Sequence, residues 1–246
     1  MVKTLKPRLK ASGIHFLLSA LVFFVVLYFI GFLWYPNPHF TTNGGWQGVR
    51  IILIIYSPWP LLTLLIFNPE KSRKAILFDF SVIGTIQISA LIWGLSAVYS
   101  QRPLAISFWD GRFHPVLMDD LKASEATPEQ LKELSQHSPA IVYVRHPETE
   151  DEESGVVLFQ IVEGKLEHQI FFLYSPLEKH IDELFEASVT NSPNTNDTFR
   201  SNIAHWLEKT GMNEKELAFI PFAGAYGNSI LVLNRQGELL DSITTK

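Results

Sequence analysis

Residues 14–35 read IHFLLSALVFFVVLYFIGFLWY, a run without a single Lys, Arg, Asp or Glu. A helix rising about 1.5 Å per residue needs roughly 20 apolar residues to cross a hydrocarbon core. Backbone amides in lipid have to bond within their own segment, so an open chain of this composition spans as a helix. Residues 51–67 and 80–99 repeat the pattern, and together the three runs predict three transmembrane helices in the first hundred residues.

The charges between the runs set an expected orientation. Lys3, Lys6, Arg8 and Lys10 precede the first run, Glu70, Lys71, Arg73 and Lys74 fill the second loop, and the first loop, 36–48, carries no charged side chain. Excess Lys and Arg in short loops stays on the cytoplasmic side. The amino terminus and second loop are therefore expected inside, and the first loop and everything after Tyr99 outside. Trp34, Tyr35, Trp46, Trp93 and Tyr99 fall at or near the expected outer boundary, where amphipathic rings settle at headgroup depth. The first run is longer than a signal-peptide core and ends in Trp34-Tyr35-Pro36 instead of small residues, which predicts a retained anchor over a cleaved signal.

Of the 246 residues, about 100 form the membrane part (1–100), and 101–246 are long enough for one compact domain. Lys plus Arg against Asp plus Glu is 8 against 2 before residue 101 and 12 against 23 after it, so the exported part stands at −11. That charge repels phosphate backbones and excludes nucleic acid as a partner. Cysteine is absent, which removes disulfides, thiolate nucleophiles and cysteine metal sites together.

In the exported part, 104–109 and 113–117 flank Asp110-Gly111 and predict a tight hairpin. Thr127-Pro128-Glu129-Gln130 predicts a capped helix to about His137. Residues 140–144 predict a buried strand. The acidic run 148–153 fits either a helix start or a solvated loop, and 156–162 fits helix or strand equally. A helix is expected over 176–188, and another, capped by Asn196 or Asp197, through Lys209 to Gly211. Strands are expected at 217–222, 229–234 and 238–243, the last two joined around Gln236-Gly237. The mixture predicts an α+β domain with helices on a mainly antiparallel sheet.

Patterns that carry chemistry are few. No His-Glu-x-x-His, Gly-x-Ser-x-Gly or phosphate-loop pattern occurs, and the acidic run lacks the alternating ligands and central glycine of a calcium loop. No catalytic, cofactor-binding or metal-binding residue is therefore predicted. Gly224-Ala225-Tyr226-Gly227-Asn228 is the most unusual exported stretch. It reads as a hairpin loop whose glycines supply positive φ, or as a recognition loop with Tyr226 as an exposed anchor beside Gly227. In the membrane part, Gly84, Gln87 and Gly94 share a helical face of small and polar residues suited to close helix packing. Asp79 lies near Lys71, Arg73 and Lys74, where an ion pair or a contact with another protein's helix is expected. Pro58 and Pro60 break or kink the second span and free carbonyls that neighbouring helices or Thr63 must satisfy.

In chain order, Trp34-Tyr35-Pro36, Gly44-Gly45-Trp46-Gln47-Gly48-Val49-Arg50, Pro60-Leu61-Leu62-Thr63-Leu64, Phe78-Asp79, Tyr99-Ser100-Gln101-Arg102-Pro103, Asp110-Gly111-Arg112-Phe113 and Tyr226-Gly227-Asn228 resemble the type IV pilin accessory proteins of the TfpX/TfpZ family. The resemblance runs from the first span almost to the carboxyl terminus. It implies a non-enzymatic factor in the inner membrane of a Gram-negative bacterium, with its carboxyl-terminal domain in the periplasm. Such a factor acts as a chaperone on one type IV major pilin, supporting its stability or its entry into pili and hence twitching motility. The implied partners are that pilin and membrane lipid, with no cofactor and no small-molecule substrate. The family pattern often places an aspartate in the second span, where this chain reads Ile55-Tyr56-Ser57-Pro58. A membrane-tethered sensor or enzyme is the competing class, and it requires a polar cleft with converging titratable groups.

Overall fold

The computed structural model describes residues 2–191 and 197–244. They divide into two compact units, one of Met1–Pro36 with Gly45–Ser100, the other of Asn37–Gly44 with Gln101–Lys246. The first interhelical loop thus belongs to the second unit.

The first unit is helical. Helix α1 (Val2–Tyr28) continues as a π-helix over Phe29–Trp34. After α2 (His39–Thr42), which lies in the second unit, come α3 (Gly45–Tyr56), α4 (Pro58–Ile66) and α5 (Arg73–Ser100). Leu5–Trp34, Gly45–Ile66 and Arg73–Ser100 are each long and apolar enough to cross a membrane. Helices α1 and α5 start before the expected apolar segments because the Lys and Arg that precede those segments are good helix formers and carry the helix with them, while α3 starts early at Gly45. The second span breaks where expected. Pro58 has no N–H to offer Ile54, and Ser57 Oγ donates to that carbonyl instead, at 3.3 Å. Tyr35, expected at the interface, is buried and donates its hydroxyl to the Val98 carbonyl at 2.8 Å.

The second unit is built on a seven-stranded mixed sheet in the order β4-β3-β1-β2-β5-β6-β7. The strands are β1 (Ala105–Trp109), β2 (Arg112–Val116), β3 (Ala140–Val144), β4 (Tyr174–Pro176), β5 (Leu217–Ala223), β6 (Asn228–Asn234) and β7 (Leu239–Thr244). Pairings β1–β3 and β2–β5 are parallel and the other four antiparallel. Both faces are covered, which is why the central strands read as continuous apolar runs. Ala105, Ala140, Val142 and Val144 point to one face, under Leu121 of α6 (Met118–Ala123), Leu131 of α7 (Pro128–Leu134) and Val156 of α8 (Glu150–Val162). Ile106, Phe108, Ile141 and Ile220 point to the other, under Leu184 of α9 (Ile181–Glu186). Helix α10 (Asp197–Thr210) covers Phe219, Ile230 and Val232 with Ile203.

Local signals explain most boundaries. Asp110 and Gly111 take φ of 49° and 72°, the left-handed pair that a tight hairpin needs. Gln130 Oε1 accepts from the Thr127 N–H at 2.8 Å, but α7 stops at Leu134, three residues short of His137. The acidic run resolves as a helix start, because Thr149 Oγ1 accepts from Glu152 N–H at 3.2 Å and fixes the first turn of α8. The helix expected over 176–188 is split: Pro176 pairs with Val142 in β4, a 3₁₀ turn covers Leu177–His180, and only Ile181–Glu186 is α-helical. Gly211 (φ 67°) terminates α10, whose alternative cap Asn196 lies outside the described residues.

Candidate functional site

Inside the first unit, polar side chains meet in a setting where they are costly to bury. Ser12, His15 and Ser19 line one face of α1 at intervals of three and four residues. Gln87 of α5 donates its amide to Ser19 Oγ at 3.2 Å, which turns its carbonyl oxygen towards His15 Nε2 at 2.9 Å. Nε2 therefore carries the proton in the neutral ring, and Nδ1 accepts from Thr63 Oγ1 of α4 at 2.6 Å. Ser12 Oγ adds a bond to the Pro60 carbonyl at 2.8 Å. Three spans are thus joined by one chain of hydrogen bonds. Thr63 serves this chain and not the carbonyls freed by the prolines, and His15 is a member that the sequence reading missed. Its signal was there: a polar ring one helical turn from Ser12 and from Ser19 in an otherwise apolar span.

The glycines of α3 and α5 divide into two kinds. A side chain begun at Gly94 would lie 2.5 Å from Ile55 Cδ1, and one begun at Gly48 would lie 2.8 Å from Val98 Cγ1, so both glycines are used by the protein's own helix packing. Gly84 meets nothing within 4 Å. It opens instead onto a groove of about 380 Å³ lined by Ala11, His15, Phe67, Phe80 and Gln87 among others. The expected face therefore splits: Gln87 and Gly94 are engaged within the bundle, while Gly84 lies open. Asp79 takes the expected ion pair with Lys71.

In the second unit, the loop Asn37–Gly44 docks on the turn between β5 and β6. Tyr226 N–H donates to the Thr42 carbonyl at 2.8 Å, Ala225 N–H donates to Asn43 Oδ1 at 3.1 Å, and Asn37 Nδ2 donates to Ser242 Oγ at 2.8 Å. Neither Gly224 nor Gly227 has positive φ, contrary to the hairpin expectation. Gly224 is required for a different reason: a Cβ there would lie 2.6 Å from both the Thr42 and Gly227 carbonyl oxygens. A Cβ on Gly227 would have Thr41 O as its nearest neighbour, 4.0 Å away. The Tyr226 side chain stands 62% exposed above this junction.

His39 anchors the same loop. It is buried, sits edge-on to Phe222 with ring centres 5.5 Å apart, and shares a 2.8 Å bond with Asn43 Nδ2, which donates to His39 Nδ1. Burial holds its pKa down to about 3. His168, stacked on His114 at 4.2 Å, is held down to about 4, first by burial and then by the neighbouring ring. Among the described residues, no group of three or more His, Asp or Glu is placed to hold a metal ion.

Comparison with known proteins adds the following. Residues 3–44 match the family described as "Fimbrial assembly protein FimB". The chain is 30% identical to "Fimbrial assembly protein, serogroup I" of Dichelobacter nodosus over 220 residues, which is 86% of this chain and 84% of that relative. The serogroup E1 protein of the same organism is similar to the same extent. A third relative, "Fimbrial assembly protein, serogroups C1 and C2", is 42% identical over 100 residues, covering 40% of this chain and 76% of its own length. No solved structure matches.

Proposed function

Because the chain belongs to the family of fimbrial assembly proteins, we propose that it is an inner-membrane accessory protein, a chaperone dedicated to one type IV major pilin. It holds the newly inserted subunit until the subunit enters the pilus. The observation that carries this reading is the alignment over 86% of the chain, since it takes in both the apolar helices and the exported domain. The open notch at Gly84 supports it, because a small residue facing an apolar groove lets a foreign helix backbone approach closely. In this reading the pilin's apolar stem lies in that groove, with Gln87 and His15 on its wall and Asp79 at its cytoplasmic end. The acidic domain, with Tyr226 and Gly227 at one exposed turn, faces the pilin head on the periplasmic side.

Loop charges support the orientation, with the amino terminus in the cytoplasm. The sharing of one compact unit by Asn37–Gly44 and Gln101–Lys246 supports the count of three crossings, which brings these two segments to the same side in either orientation.

Deleting the gene tests the proposal. Pilin level or surface display, read by immunoblots of whole-cell and sheared-pilus fractions, should fall while an unrelated membrane protein holds steady. Restoring the gene as Gly84→Leu should give a stably accumulated protein that fails to rescue piliation. Normal pilin abundance, piliation and twitching in the deletion strain would refute the chaperone role and return the membrane-tethered sensor or enzyme to consideration.

A further inference from the structure

Helix α8 turns apolar in its last two turns, where Gln160 is the single polar residue, although one side of those turns faces solvent. Val156 points into the core and Phe159 packs against it, while Val157, Leu158, Ile161 and Val162 stand 53%, 61%, 77% and 65% exposed. Leu166, just beyond the helix, is exposed as well. Nothing among the described residues covers this face. Solitary exposed leucines are ordinary, but a contiguous stripe on one helix marks an interaction surface.

The outward face changes character along its length. Successive residues advance by about 100° around a helix, so Glu150, Asp151 and Ser154 lie on the side that later carries Val157, Leu158 and Ile161. Glu152, on the inner side, is committed to Arg145, whose guanidinium donates to it at 2.8 Å. Glu150, Asp151 and Glu153 make no ion pair among the described residues. The face is therefore acidic at its start and apolar at its end.

This polarity decides among occupants. A bilayer is disfavoured, because helices that lie in anionic membrane surfaces flank their apolar side with Lys and Arg, and here the flank is acidic. A second copy is disfavoured too. Antiparallel pairing about a two-fold would press each acidic start onto the other's apolar end, and parallel pairing would set like charges together. A partner with an apolar patch beside Lys or Arg side chains satisfies both halves of the face. We propose that the outward face of α8, centred on Leu158 and Ile161, is the surface on which the extramembrane head of the fimbrial subunit docks, through an apolar patch bordered by basic side chains. The identity of the partner rests on the function proposed above; the chemistry of the patch does not.

The test places the photoreactive residue benzoylphenylalanine at Ser154, at Leu158, at Ile161, at Phe80 on the wall of the membrane groove and at exposed Lys209 on α10, in the full-length protein in cells, with the subunit detected by antibody. Subunit adducts from Leu158 and Ile161 but not from Lys209 are expected. Two exposed substitutions together, Leu158→Ser and Ile161→Ser, should lower a subunit adduct formed from Ser154 at least ten-fold without moving the melting curve. Glu150→Gln with Asp151→Asn should lower it about three-fold and flatten its salt dependence. Subunit adducts from Phe80 alone would overturn the docking face and leave the proposed function standing. Adducts of twice the chain's mass, or with lipid only, would overturn it in favour of self-association or the bilayer. Absence of subunit adducts from all positions would remove both proposals.

Discussion

Gly224 and Gly227 flank the same short turn, and the structure assigns them opposite tolerance. In Gly224→Ala, the new methyl carbon would start 2.6 Å from the carbonyl oxygens of Thr42 and Gly227. Both atoms are backbone, so relief needs the loop Asn37–Gly44 to lift, and the turn at Gly227 to open, by more than about half an ångström. Lifting it weakens the Tyr226 N–H to Thr42 O and Ala225 N–H to Asn43 Oδ1 bonds. Two such bonds contribute about 1 kcal/mol each, and overpacking adds roughly 1–3 kcal/mol, for a total of about 3–5 kcal/mol. In Gly227→Ala the nearest atom is 4.0 Å away, an ordinary contact, and the cost should be about 1 kcal/mol or less. Full-length protein purified in a mild detergent would be followed by tryptophan fluorescence against heat and by limited proteolysis within Asn37–Gly44. Gly224→Ala should melt earlier and be cleaved faster, and Gly227→Ala should track the wild type. Equal behaviour of the two variants would refute the close-approach argument.

Acid should loosen the same junction. Folding depresses the His39 pKa from 6.5 to about 3, so the unfolded chain binds the extra proton. The stabilisation is complete above the unfolded value and is lost as pH falls through that window, at about 1.4 kcal/mol per pH unit. His168 adds a similar slope down to its value near 4. Melting temperature measured from pH 7.5 to 4.5 should fall, and His39→Phe should make the fall shallower; an unchanged slope would count against a neutral buried ring. In the membrane unit, Gln87→Leu removes the bonds to His15 and Ser19, worth about 1–2 kcal/mol together. It should lower resistance to denaturing detergent, and full resistance would mean that the polar chain adds no stability. Alkaline phosphatase fused after Lys246 should be active; an inactive enzyme paired with a fluorescent cytoplasmic reporter at the same point would reverse the orientation.

Legibility in the sequence followed the range of the forces involved. The hairpin at Asp110-Gly111, the Thr127 cap and the Gly211 stop are fixed within a few residues, so each could be read locally. Residues 156–162 could not, because an apolar run broken only by Gln160 suits a buried strand and a helix alike, and the deciding cap, Thr149, lies a full two turns away. Strand β4 has three residues and no pattern of its own; it exists because β3 offers an open edge. The polar residues Gln87 and Thr63 were visible as anomalies in apolar runs, but their meeting at His15 depends on how three helices pack. The docking of Asn37–Gly44 was the least visible feature, since Asn43 and Ala225 are 182 residues apart.

That separation also has a meaning in time. Ribosomes add roughly 5–20 residues per second, so Asn43 waits on the order of 10–40 seconds after its own synthesis before Ala225 exists to meet it. Until then His39 has no Phe222 ring to pack against, and the loop's backbone and Asn43 amide must be satisfied by water. A chain cut short between the end of α5 at Ser100 and the start of β5 at Leu217 keeps all three apolar helices and still leaves this segment bare. The junction therefore closes only once β5 and β6 have been made, and a chain that ends before them leaves 37–44 without its bonds to Ala225 and Tyr226.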